Sequence, residues 1–549
     1  MEKKRLKLPI GVQTFEKLRK DGNIYVDKTK FLVDMIDKGN IYFLARPRRF
    51  GKSLTVTTLD ALFSGRKDLF EGLYAEEFLN KPDFQPSPVI RLDMSQIATE
   101  KGIEGMEESM LMITKDAANQ LGVKLSNAKI SGNLLNELIK KAAKKYNQRV
   151  VILLDEYDKP YTDFMFDKDM AEKVREVLRN YYVQVKANDE YVRFTFITGI
   201  SKFAKVGVFS TLNTPRDISL SREYAAICGY TEEEIIRYFP DYLEETASEM
   251  QITTDELIDQ MRYYYNGFSF DREVKTKLYN PYSTLTFFAE KCFLNYWIDT
   301  GHPKFMGDYM KTQKITIEQF RHFPVSIDFA KSPGDVDTTP PEGFLYQCGY
   351  LVLRSDDGKQ LYLDYPNTEV LNSMSKLVTQ NILDRHIIHI QADLFASLKY
   401  NDIDKLVEFL NSLLASIPYD DFSGAAKQNV NHNGYKFSAQ EWLFRSSIFC
   451  YMRGCGIVVE AEMHSHLGRP DLVISHQGKT WVIEIKVAYD GQSPQAKAEE
   501  AYRQIVENQY TKPYQNVTGI GLGIDDAERQ IKAVLSDKED NDSDSSSKT

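Results

Sequence analysis

The chain has 549 residues, of which 42% are hydrophobic and 12% aromatic, and its formal net charge is −10. This length exceeds one hydrophobic core, so about three folded units are expected, and no apolar run approaches the ~18 residues of a membrane span. The acidic balance excludes a surface coated throughout for nucleic acid, although it is compatible with a local basic groove. Five scattered cysteines indicate reduced thiols rather than a disulfide framework or a zinc site. The N-terminal residues lack the apolar segment of a secretory signal, so we expect a cytoplasmic protein.

A helical pattern follows Asp27 and runs to about residue 39. The Asp27 carboxylate can cap the start of that helix, because aspartate is a favoured residue at this position. We therefore assign a structural role to Asp27-Lys28-Thr29. A contact with nucleotide is the alternative, since the segment lies close in sequence to the loop described next.

Residues 41–54, IYFLARPRRFGKSL, predict a phosphate-binding loop between a strand and a helix. Backbone N–H groups at the start of a helix, together with the helix dipole, favour a bound phosphate. In such a loop Lys52 reaches the β- and γ-phosphates and the Ser53 hydroxyl holds Mg²⁺. The general pattern has glycine where this chain has Arg46, so we expect the loop to open differently, with Pro47 fixing its φ. A basic surface turn is the alternative.

Beyond the loop the pattern predicts a strand at 87–96, an amphipathic helix at about 102–121 and a basic helix at about 133–146. The aliphatic run that follows indicates a strand buried on both faces, and it ends in Asp155 and Glu156. The first acid would complete a Mg²⁺ site and the second could activate water for attack on the γ-phosphate. Solvated acids at a strand end are the simpler interpretation, but the pairing with the loop favours a nucleotide site.

The strand at 87–96 lies between the loop and Asp155 along the chain, which indicates the additional-strand branch of phosphate-loop ATPases. A further strand, YVRFTFITGI, ends near a polar cluster where a γ-phosphate sensor would lie, although a simple turn explains the cluster nearly as well. That cluster is formed by Thr198, Ser201 and Lys202. Arg216 and Arg222 are candidates for an arginine finger.

From about residue 231 the pattern changes to helices, and its aromatic turns, YNGFSF and LYNPYS, are expected to pack a helical lid. Residues 331–343 predict a linker or exposed loop. The acidic, serine-rich residues 536–549 have nothing to bury and should be disordered.

Two strands near the C-terminus predict a second chemical site: RPDLVIS at 469–475 and KTWVIEIKVA at 479–488, joined by a turn at His476-Gln477-Gly478. Alternation places Glu484 and Lys486 on one face of the second strand, and Asp471 at the start of the first strand brings another carboxylate beside them. Two close carboxylates repel unless a cation lies between them. Oxygen ligands with open positions suit Mg²⁺ or Mn²⁺.

Lys486 could then orient or deprotonate the attacking water and offset charge on a phosphodiester. Glu441 on the preceding helix can add a ligand or hold a metal-bound water, and a following helix carries Gln504. This is the P-D…E-x-K arrangement of metal-dependent nucleases, and a surface hairpin with a salt bridge is the alternative. His464 and His466 lie close in sequence but are expected to be solvated.

The chain resembles, over nearly all of residues 6–530, a bacterial family of two-part proteins with an N-terminal AAA-ATPase-like domain and a C-terminal PD-(D/E)XK nuclease-superfamily domain. The segments that carry the resemblance are LPIGVQTFEKLRKDGNIYVDKT, FLARPRRFGKSL, VILLDEYDKP, ITGISKF, FSTLNTPRDIS, YYYNGFSF, NYWIDTG, GRPDLVI and VIEIKVA. Members of this family have arginine, as at Arg46, where the general phosphate-loop motif has glycine.

The resemblance implies an α/β fold: an additional-strand, AAA-like P-loop NTPase sheet, a helical middle region and a C-terminal α/β PD-(D/E)XK nuclease-like domain. The predicted boundaries are 1–230 for the ATPase-like domain, 231–395 for the middle region, 396–434 for a helical connector, 435–535 for the nuclease-like domain and 536–549 for the tail. The predicted nucleotide-binding residues are Arg49, Phe50, Gly51, Lys52, Ser53, Leu54, Asp155 and Thr198. The predicted catalytic residues are Glu156, Glu441, Asp471, Glu484, Lys486 and Gln504, and the predicted metal ligands are Ser53, Asp155, Asp471 and Glu484.

The first functional hypothesis is an ATP-binding and ATP-hydrolysing protein coupled to a Mg²⁺-dependent nuclease that acts on DNA in preference to RNA, including foreign or mobile DNA. Mn²⁺ is an alternative ion at the nuclease site. The second hypothesis is a regulatory NTPase switch whose nuclease-like domain binds nucleic acid or a protein without cleaving it. A relic inactive at both sites is the third. We expect no membrane partner, and the sequence leaves a homo-oligomer open.

Overall fold

The computed structural model describes residues 5–165, 167–200, 215–299, 320–326, 329, 340–355, 360–382, 388–414, 429–432, 435–461 and 469–536. The chain divides into two compact units. Unit 1 comprises the described residues of 5–299 and 320–370, and unit 2 comprises those of 371–536. The division between residues 370 and 371 falls inside the predicted middle region.

A five-stranded parallel sheet forms the centre of unit 1. Its strands are β1 (Ile41–Ala45), β2 (Val89–Asp93), β3 (Val150–Asp155), β4 (Val192–Gly199) and β5 (Arg216–Asp217), in the order β2-β3-β4-β1-β5. Every residue of β3 is buried, as the continuous aliphatic run predicts. In the sheet, β4 lies between β1, which precedes the predicted phosphate loop, and β3, which ends in Asp155. The strand that intervenes along the chain, β2, lies at the edge of the sheet.

Eight helices accompany this sheet within the described residues up to 200. They are α1 (Phe15–Lys20), α2 (Thr29–Lys38), α3 (Lys52–Phe63), α4 (Ala75–Leu79), α5 (Gly102–Gln120), α6 (Ser131–Tyr146), α7 (Lys159–Thr162) and α8 (Lys168–Ala187). α5 and α6 lie within two residues of their predicted bounds. Their apolar residues recur with helical spacing, and most of the intervening charged residues are exposed.

Asp27 stabilises the start of α2, although it lies one residue before the N-cap position predicted for it, which Lys28 occupies. Its Oδ1 accepts hydrogen bonds from the Thr29 N–H at 2.8 Å and from the Thr29 hydroxyl at 2.7 Å. Its Oδ2 accepts from the Tyr74 N–H, and the Thr29 hydroxyl oxygen accepts from the Ala75 N–H. Lys28 is buried in an ion pair with Glu234 at 2.6 Å. The three residues therefore tie α2 to its neighbours in the fold.

The middle part of unit 1 contains helices and a small antiparallel sheet. The helices are α9 (Glu232–Tyr238), α10 (Pro240–Glu249), α11 (Thr254–Tyr265), α12 (Pro281–Glu290), α13 (Tyr296–Asp299) and α14 (Pro341–Cys348). Capping boxes start α9 at Thr231 and α11 at Thr253. The sheet, in the order β6-β8-β7, comprises β6 (Phe323–Val325), β7 (Val352–Arg354) and β8 (Leu361–Asp364), and the helical pattern of the sequence did not predict it.

Unit 2 contains a five-stranded mixed sheet and several helices. Helix α15 (Thr368–Ile382) begins just before the division, and α16 (Ile388–Tyr400), α17 (Ile403–Leu414), α18 (Ala439–Gly454) and α19 (Pro494–Glu507) follow. A short hairpin comprises β9 (Asn429–His432) and β10 (Tyr435–Ser438). The main sheet runs in the order β11-β12-β13-β14-β15, with strands β11 (Val458–Ala461), β12 (Leu472–His476), β13 (Lys479–Ala488), β14 (Val517–Asp525) and β15 (Gln530–Ser536). β13 and β14 are parallel, and the other pairs are antiparallel.

Two local features of the sequence shape this sheet. Gln477 (φ 48°) and Gly478 (φ 76°) make the two-residue turn between β12 and β13, because a hairpin of this length favours positive φ at both positions. In β14, Gly521 and Gly523 let α19 pack directly on the strand. A Cβ on Gly523 would lie 2.0 Å from the Pro494 carbonyl oxygen. α19 thus lies over the face of the sheet that carries Glu484, whose register partner is Gly521.

None of the helices in the described ranges is both long enough and apolar enough to cross a bilayer. The predicted tail beyond Ser536 lies outside the described residues, as does the predicted loop at 331–343 up to residue 339.

Candidate functional site

The loop between β1 and α3 is the first candidate site. It follows Ala45 and ends where α3 begins at Lys52, so it lies at the carboxyl edge of the parallel sheet, where open α/β sheets bind ligands. Left-handed backbone occurs at Arg49 (φ 65°) and Gly51 (φ 97°), and Arg46 is not among the positive-φ residues. The loop therefore opens differently from the general glycine-first pattern, as expected from the sequence.

The side chain of Arg46 supports this loop from below through hydrogen bonds to backbone carbonyls. This side chain is buried, and its guanidinium lies 4.2 Å over the ring of Phe270. It donates hydrogen bonds to the backbone carbonyls of Ala45, Ser219, Tyr224 and Ala225. Burial lowers the pKa of Arg46 to about 10. The residue that departs from the general motif thus holds the loop against residues 219–225.

Lys52 points into the loop. Its ammonium donates to the carbonyl oxygens of Arg46 and Pro47, each at 3.0 Å. Burial lowers the pKa of Lys52, and the nearby carboxylates of Glu156 and Asp155 partly oppose that effect. A buried ammonium that donates to carbonyls at a helix start is suited to exchange those carbonyls for phosphate oxygens.

Asp155, Glu156 and Thr198 lie together across the ends of β3 and β4. Asp155 Oδ1 accepts hydrogen bonds from the Thr198 hydroxyl at 2.5 Å and from the Glu156 N–H at 3.1 Å. Thr198 pairs in register with Leu44 of β1, next to the start of the phosphate loop. Glu156 has φ 51°, an uncommon conformation for glutamate, and burial raises the pKa of its carboxyl. The acids and the loop therefore share one edge of the sheet.

The other predicted residues of this site have different surroundings. Ser53 and Leu54 are half-buried at the first turn of α3, and Arg49 is exposed. The Phe50 ring lies in the core, 4.8 Å from the ring of Phe268 between centroids, so only the Phe50 backbone is free to contact a phosphate.

Of the sensor and arginine-finger candidates, Thr198 alone among the described residues has a hydrogen bond that places it at the site. Ser201 and Lys202 lie outside the described residues. Arg216 pairs with Glu223 at 3.3 Å, and Arg222 pairs with Glu273 at 3.4 Å. Both arginines thus form surface ion pairs within unit 1.

The second candidate site lies in unit 2, between β12 and β13. The register pairs Leu472 with Ile483, which sets Asp471 opposite Glu484. The Asp471 N–H donates to Glu484 Oε2 at 3.1 Å, and the Ile485 N–H donates to Asp471 Oδ2 at 2.8 Å. Burial, and then the charge of Asp471, raise the pKa of Glu484 well above its ordinary value. Two buried carboxyls thus lie side by side, as the strand pattern predicts.

Two cations and a third carboxyl complete this cluster. Lys486 Nζ lies 3.5 Å from Glu484 Oε1 and 3.6 Å from Glu441 Oε1. Burial alone would lower the pKa of Lys486, but the surrounding carboxylates outweigh it and raise that pKa. Burial also raises the pKa of Glu441. Arg445, one turn beyond Glu441 on α18, places Nη1 3.5 Å from Asp471 Oδ1.

The residues present suit a divalent cation that keeps part of its water shell. Within the described parts of the chain, no group of three or more His, Cys, Asp or Glu side chains is arranged to hold a metal. Asp471 and Glu484 are two close, buried carboxylates, and the pKa of Glu484 is raised first by burial and then by the charge of Asp471. A cation between them would offset both effects. Mg²⁺ is commonly bound through one or two carboxylates with several retained waters.

The predicted role of Gln504 at this cluster stays a prediction. Gln504 is half-buried on α19, and its amide donates to the Tyr510 hydroxyl at 3.4 Å. No hydrogen bond connects it to Asp471 or Glu484 among the residues the structure describes. His464 and His466 lie outside the described residues.

Comparison with known proteins agrees with the two-part organisation of the chain. Residues 9–209 match a family model described as a predicted AAA-ATPase, and residues 439–533 match the PD-(D/E)XK nuclease superfamily. A protein described as "Uncharacterized protein in vnfD 5'region", from Azotobacter chroococcum mcd 1, is 32% identical over 517 residues, which cover 93% of this chain and 94% of that protein. The chain belongs to this family of two-part proteins. It joins a predicted AAA-ATPase region to a PD-(D/E)XK nuclease-superfamily region, as the sequence motifs predicted.

Two buried residues of this two-part protein were assigned no role from its sequence. Arg445 contacts the nuclease-type cluster, and its position four residues after Glu441 on one helix face is a signal that could have identified it. Asp158 is 1% exposed, and its carboxylate accepts the Ile200 N–H at 3.2 Å, which fixes the end of β4 beside the nucleotide-type site. This contact joins Asp158 to Ile200, 42 residues away, so no local sequence pattern predicts it.

Proposed function

We propose that this protein is an ATP-dependent nuclease that hydrolyses ATP in unit 1 and cleaves DNA in unit 2 with the help of Mg²⁺. The family regions indicate an ATPase-type module and a nuclease-type module, which generally use nucleotide and divalent metal. The observation that carries the proposal is the convergence of Asp471, Glu484 and Lys486, from two strands, in one largely buried cluster. We take DNA in preference to RNA as the substrate, including foreign or mobile DNA.

In unit 1, Lys52 and the backbone N–H groups at the start of α3 would hold the phosphates of ATP. Ser53 and Asp155 would be ligands of Mg²⁺, and Thr198 fixes the orientation of the Asp155 carboxylate through its hydroxyl. Glu156 lies next to Asp155 and has a raised pKa, which suits a group that accepts a proton from water.

In unit 2, Asp471 and Glu484 would hold Mg²⁺, with Mn²⁺ as a substitute. A bound divalent ion polarises a phosphate oxygen and lowers the pKa of bound water. Because the pKa of Lys486 is raised, its ammonium stays charged at neutral pH. We therefore assign Lys486 to offsetting charge on the phosphodiester rather than to removing a proton from water. Glu441 and Arg445 hold Lys486 and Asp471 in position.

The test measures ATP hydrolysis and DNA cleavage in parallel on purified protein with Mg²⁺, on duplex DNA and on RNA of the same sequence. Asp471→Ala should abolish cleavage and retain ATP hydrolysis, whereas Lys52→Ala should abolish ATP hydrolysis and, with it, ATP-dependent cleavage. Glu499→Ala, an exposed acid on α19, is the matched control and should behave as wild type. Cleavage that persists in Asp471→Ala would refute the assignment of the nuclease site.

A second candidate function is a regulatory NTPase switch whose nuclease-type unit binds nucleic acid or a protein without cutting. It is favoured by the internal neutralisation of the cluster, in which Lys486 pairs with two carboxylates and Arg445 contacts Asp471. This candidate predicts an ATP-dependent change in assembly or partner binding and no cleavage with Mg²⁺, Mn²⁺ or any other divalent ion. Cleavage by wild type that is lost in Asp471→Ala would exclude it.

A further inference from the structure

Helix α6 and the segments beside it form a basic surface that neither proposed site uses. Residues 121–149 contain seven basic residues and one acidic residue, in a chain whose net charge is −10. Most of these cations form one exposed group, which we name the basic face. It comprises Lys124, Lys140, Lys141, Lys144, Lys145 and Arg149.

The basic face lies away from the nucleotide-type loop. α6 leads directly into the start of β3, so the C-terminal end of the helix lies at the amino edge of the sheet, opposite the edge that carries Lys52. Lys141 Nζ donates to the Lys124 carbonyl at 2.9 Å, which fixes the Lys124 segment against the helix. Lys145 Nζ similarly donates to the Leu121 carbonyl at 2.8 Å. The short 3-10 helix at 189–191, with two acids, contacts α6.

The clustering of these lysines is unfavourable for the isolated helix. Lys140 and Lys144, and likewise Lys141 and Lys145, are four residues apart, and like charges at this spacing destabilise a helix by about 0.2–0.5 kcal/mol per pair. Lys141 pairs with Glu137 at 2.6 Å. In the described part of the chain, no ion pair is formed by Lys140, Lys144 or Arg149.

The helix dipole explains only part of this arrangement. Cations in the last turn of a helix are favourable, which accounts for Lys144 and Lys145. It does not account for Lys124 or Arg149, which lie outside the helix, or for Lys140, which precedes its last turn. Glu137 compensates Lys141 alone, and Lys140, Lys144 and Arg149 have no ion pair within the described ranges, so the face is suited to an external polyanion.

We propose that the basic face binds the phosphate backbone of duplex DNA, so that the ATPase-type unit itself holds the nucleic acid. The proposal rests on the proposed function for DNA as the partner, and adds where the ATPase-type unit binds it. Phosphates are recognised by clustered Lys and Arg without base contacts, and binding releases condensed counterions. The apolar side of α6 is already buried in the core, so the helix cannot insert into a membrane.

The test uses the full chain carrying Asp471→Ala, without divalent metal, so that binding is measured apart from cleavage. Fluorescence anisotropy with a labelled 30-base-pair duplex is recorded over a range of salt concentrations. The double variant Lys140→Glu/Lys144→Glu should weaken binding at least tenfold, and its plot of log K against log salt should be shallower by about 2, as expected for two lost phosphate contacts. Lys140→Gln/Lys144→Gln, which removes charge without reversing it, should give a smaller change in the same direction.

The matched control is Lys67→Glu/Lys101→Glu, which makes the same charge change at two exposed lysines elsewhere in unit 1. It should bind DNA within twofold of the parent protein, and all variants should hydrolyse ATP at the parent rate. Equal losses in the control and in the Lys140/Lys144 variants would overturn the proposal, because the effect would then be one of net charge. Equally tight binding of a poly-glutamate peptide would overturn DNA as the occupant. If the wild-type protein does not cleave DNA but binds it through the basic face, the proposed nuclease function is refuted and the binding proposal stands.

Discussion

Replacing Arg46 with glycine would give the phosphate loop the residue that the general motif has at this position, yet we expect the change to damage the protein. In this structure the loop does not need left-handed backbone at residue 46. It needs the guanidinium, which donates to the Ala45 carbonyl at 2.9 Å and the Ser219 carbonyl at 2.8 Å, and to two further carbonyls at 3.3 and 3.4 Å. Arg46→Gly removes all four donors.

The expected loss follows from the two short hydrogen bonds. A buried carbonyl left without a donor costs about 1–3 kcal/mol, and glycine adds about 0.5–1 kcal/mol through the entropy of the unfolded chain. Releasing a buried guanidinium from its desolvated position offsets part of this, since burial already lowers the pKa of Arg46 to about 10. The net destabilisation of unit 1 should be about 3 kcal/mol.

Urea unfolding monitored by Trp297 fluorescence measures this loss, in a background where Trp442→Phe and Trp481→Phe remove the two tryptophans of unit 2. With a slope of about 3 kcal/mol per molar urea, the midpoint should fall by about 1 M, and ATP affinity should fall with it. The matched control is Arg49→Gly, three residues along the same loop. Arg49 is exposed and has φ 65°, a conformation that glycine adopts without steric cost. The urea midpoint of Arg49→Gly should therefore stay close to that of the parent protein. If the urea midpoint falls less in Arg46→Gly than in Arg49→Gly, the Arg46 guanidinium does not stabilise the loop as proposed.

Three further substitutions test other parts of the structure. Trp297→Phe keeps an aromatic ring but removes the indole hydrogen bond to the Arg48 carbonyl, so ATP titrations should show affinity lowered about fivefold, as expected for one hydrogen bond of about 1 kcal/mol. Burial, with Arg354 nearby, lowers the pKa of Lys277 to about 8 from 10.5, so the native state gains stability as the pH rises through this window. Lys277→Met should accordingly raise the unfolding midpoint at pH 7, and the gain should vanish near pH 10.5. Gly521→Ala would bring a Cβ within 2.6 Å of the α19 backbone, so thermal unfolding should show unit 2 destabilised by about 1–3 kcal/mol.

Structural features that depend on a local pattern of consecutive residues were predictable from the sequence. The strand at 479–488 has the predicted bounds because alternating β-branched and aromatic residues are bounded by a turn sequence, Gln477-Gly478, that tolerates positive φ. The buried strand that ends at Asp155 and the presence of a helix after the phosphate loop follow from equally local patterns. That helix begins at Lys52, two residues before the start at Leu54 that the sequence indicated. Because parallel strands end at one edge of the sheet, the sequence also predicted that the loop and the acids would be neighbours.

Features that depend on contacts between distant residues were not predictable. The alternation of β13 implies that Glu484 shares a face with Lys486. The spacing of Arg445 from Glu441 indicates that these two side chains share a helix face, but it does not indicate that Arg445 contacts Asp471, 26 residues away. The small sheet β6-β8-β7 consists of strands of three or four residues, too short for a periodic signal. The order of the large sheet, with β4 rather than β2 beside β1, likewise reflects long-range pairing.

The phosphate loop is held from outside as well as from within, and this bears on how nucleotide could act on unit 1. The Trp297 indole donates to the Arg48 carbonyl at 3.1 Å, and Gly349 approaches Pro47 so closely that a Cβ there would lie 2.3 Å from the Pro47 ring. The Phe50 ring packs among the aromatic residues of the middle part. A ligand shifts a conformational equilibrium only through contacts that differ between the states. Any movement of the loop on binding phosphate must change these three contacts, so we expect the middle part of unit 1 to be the first to respond to nucleotide.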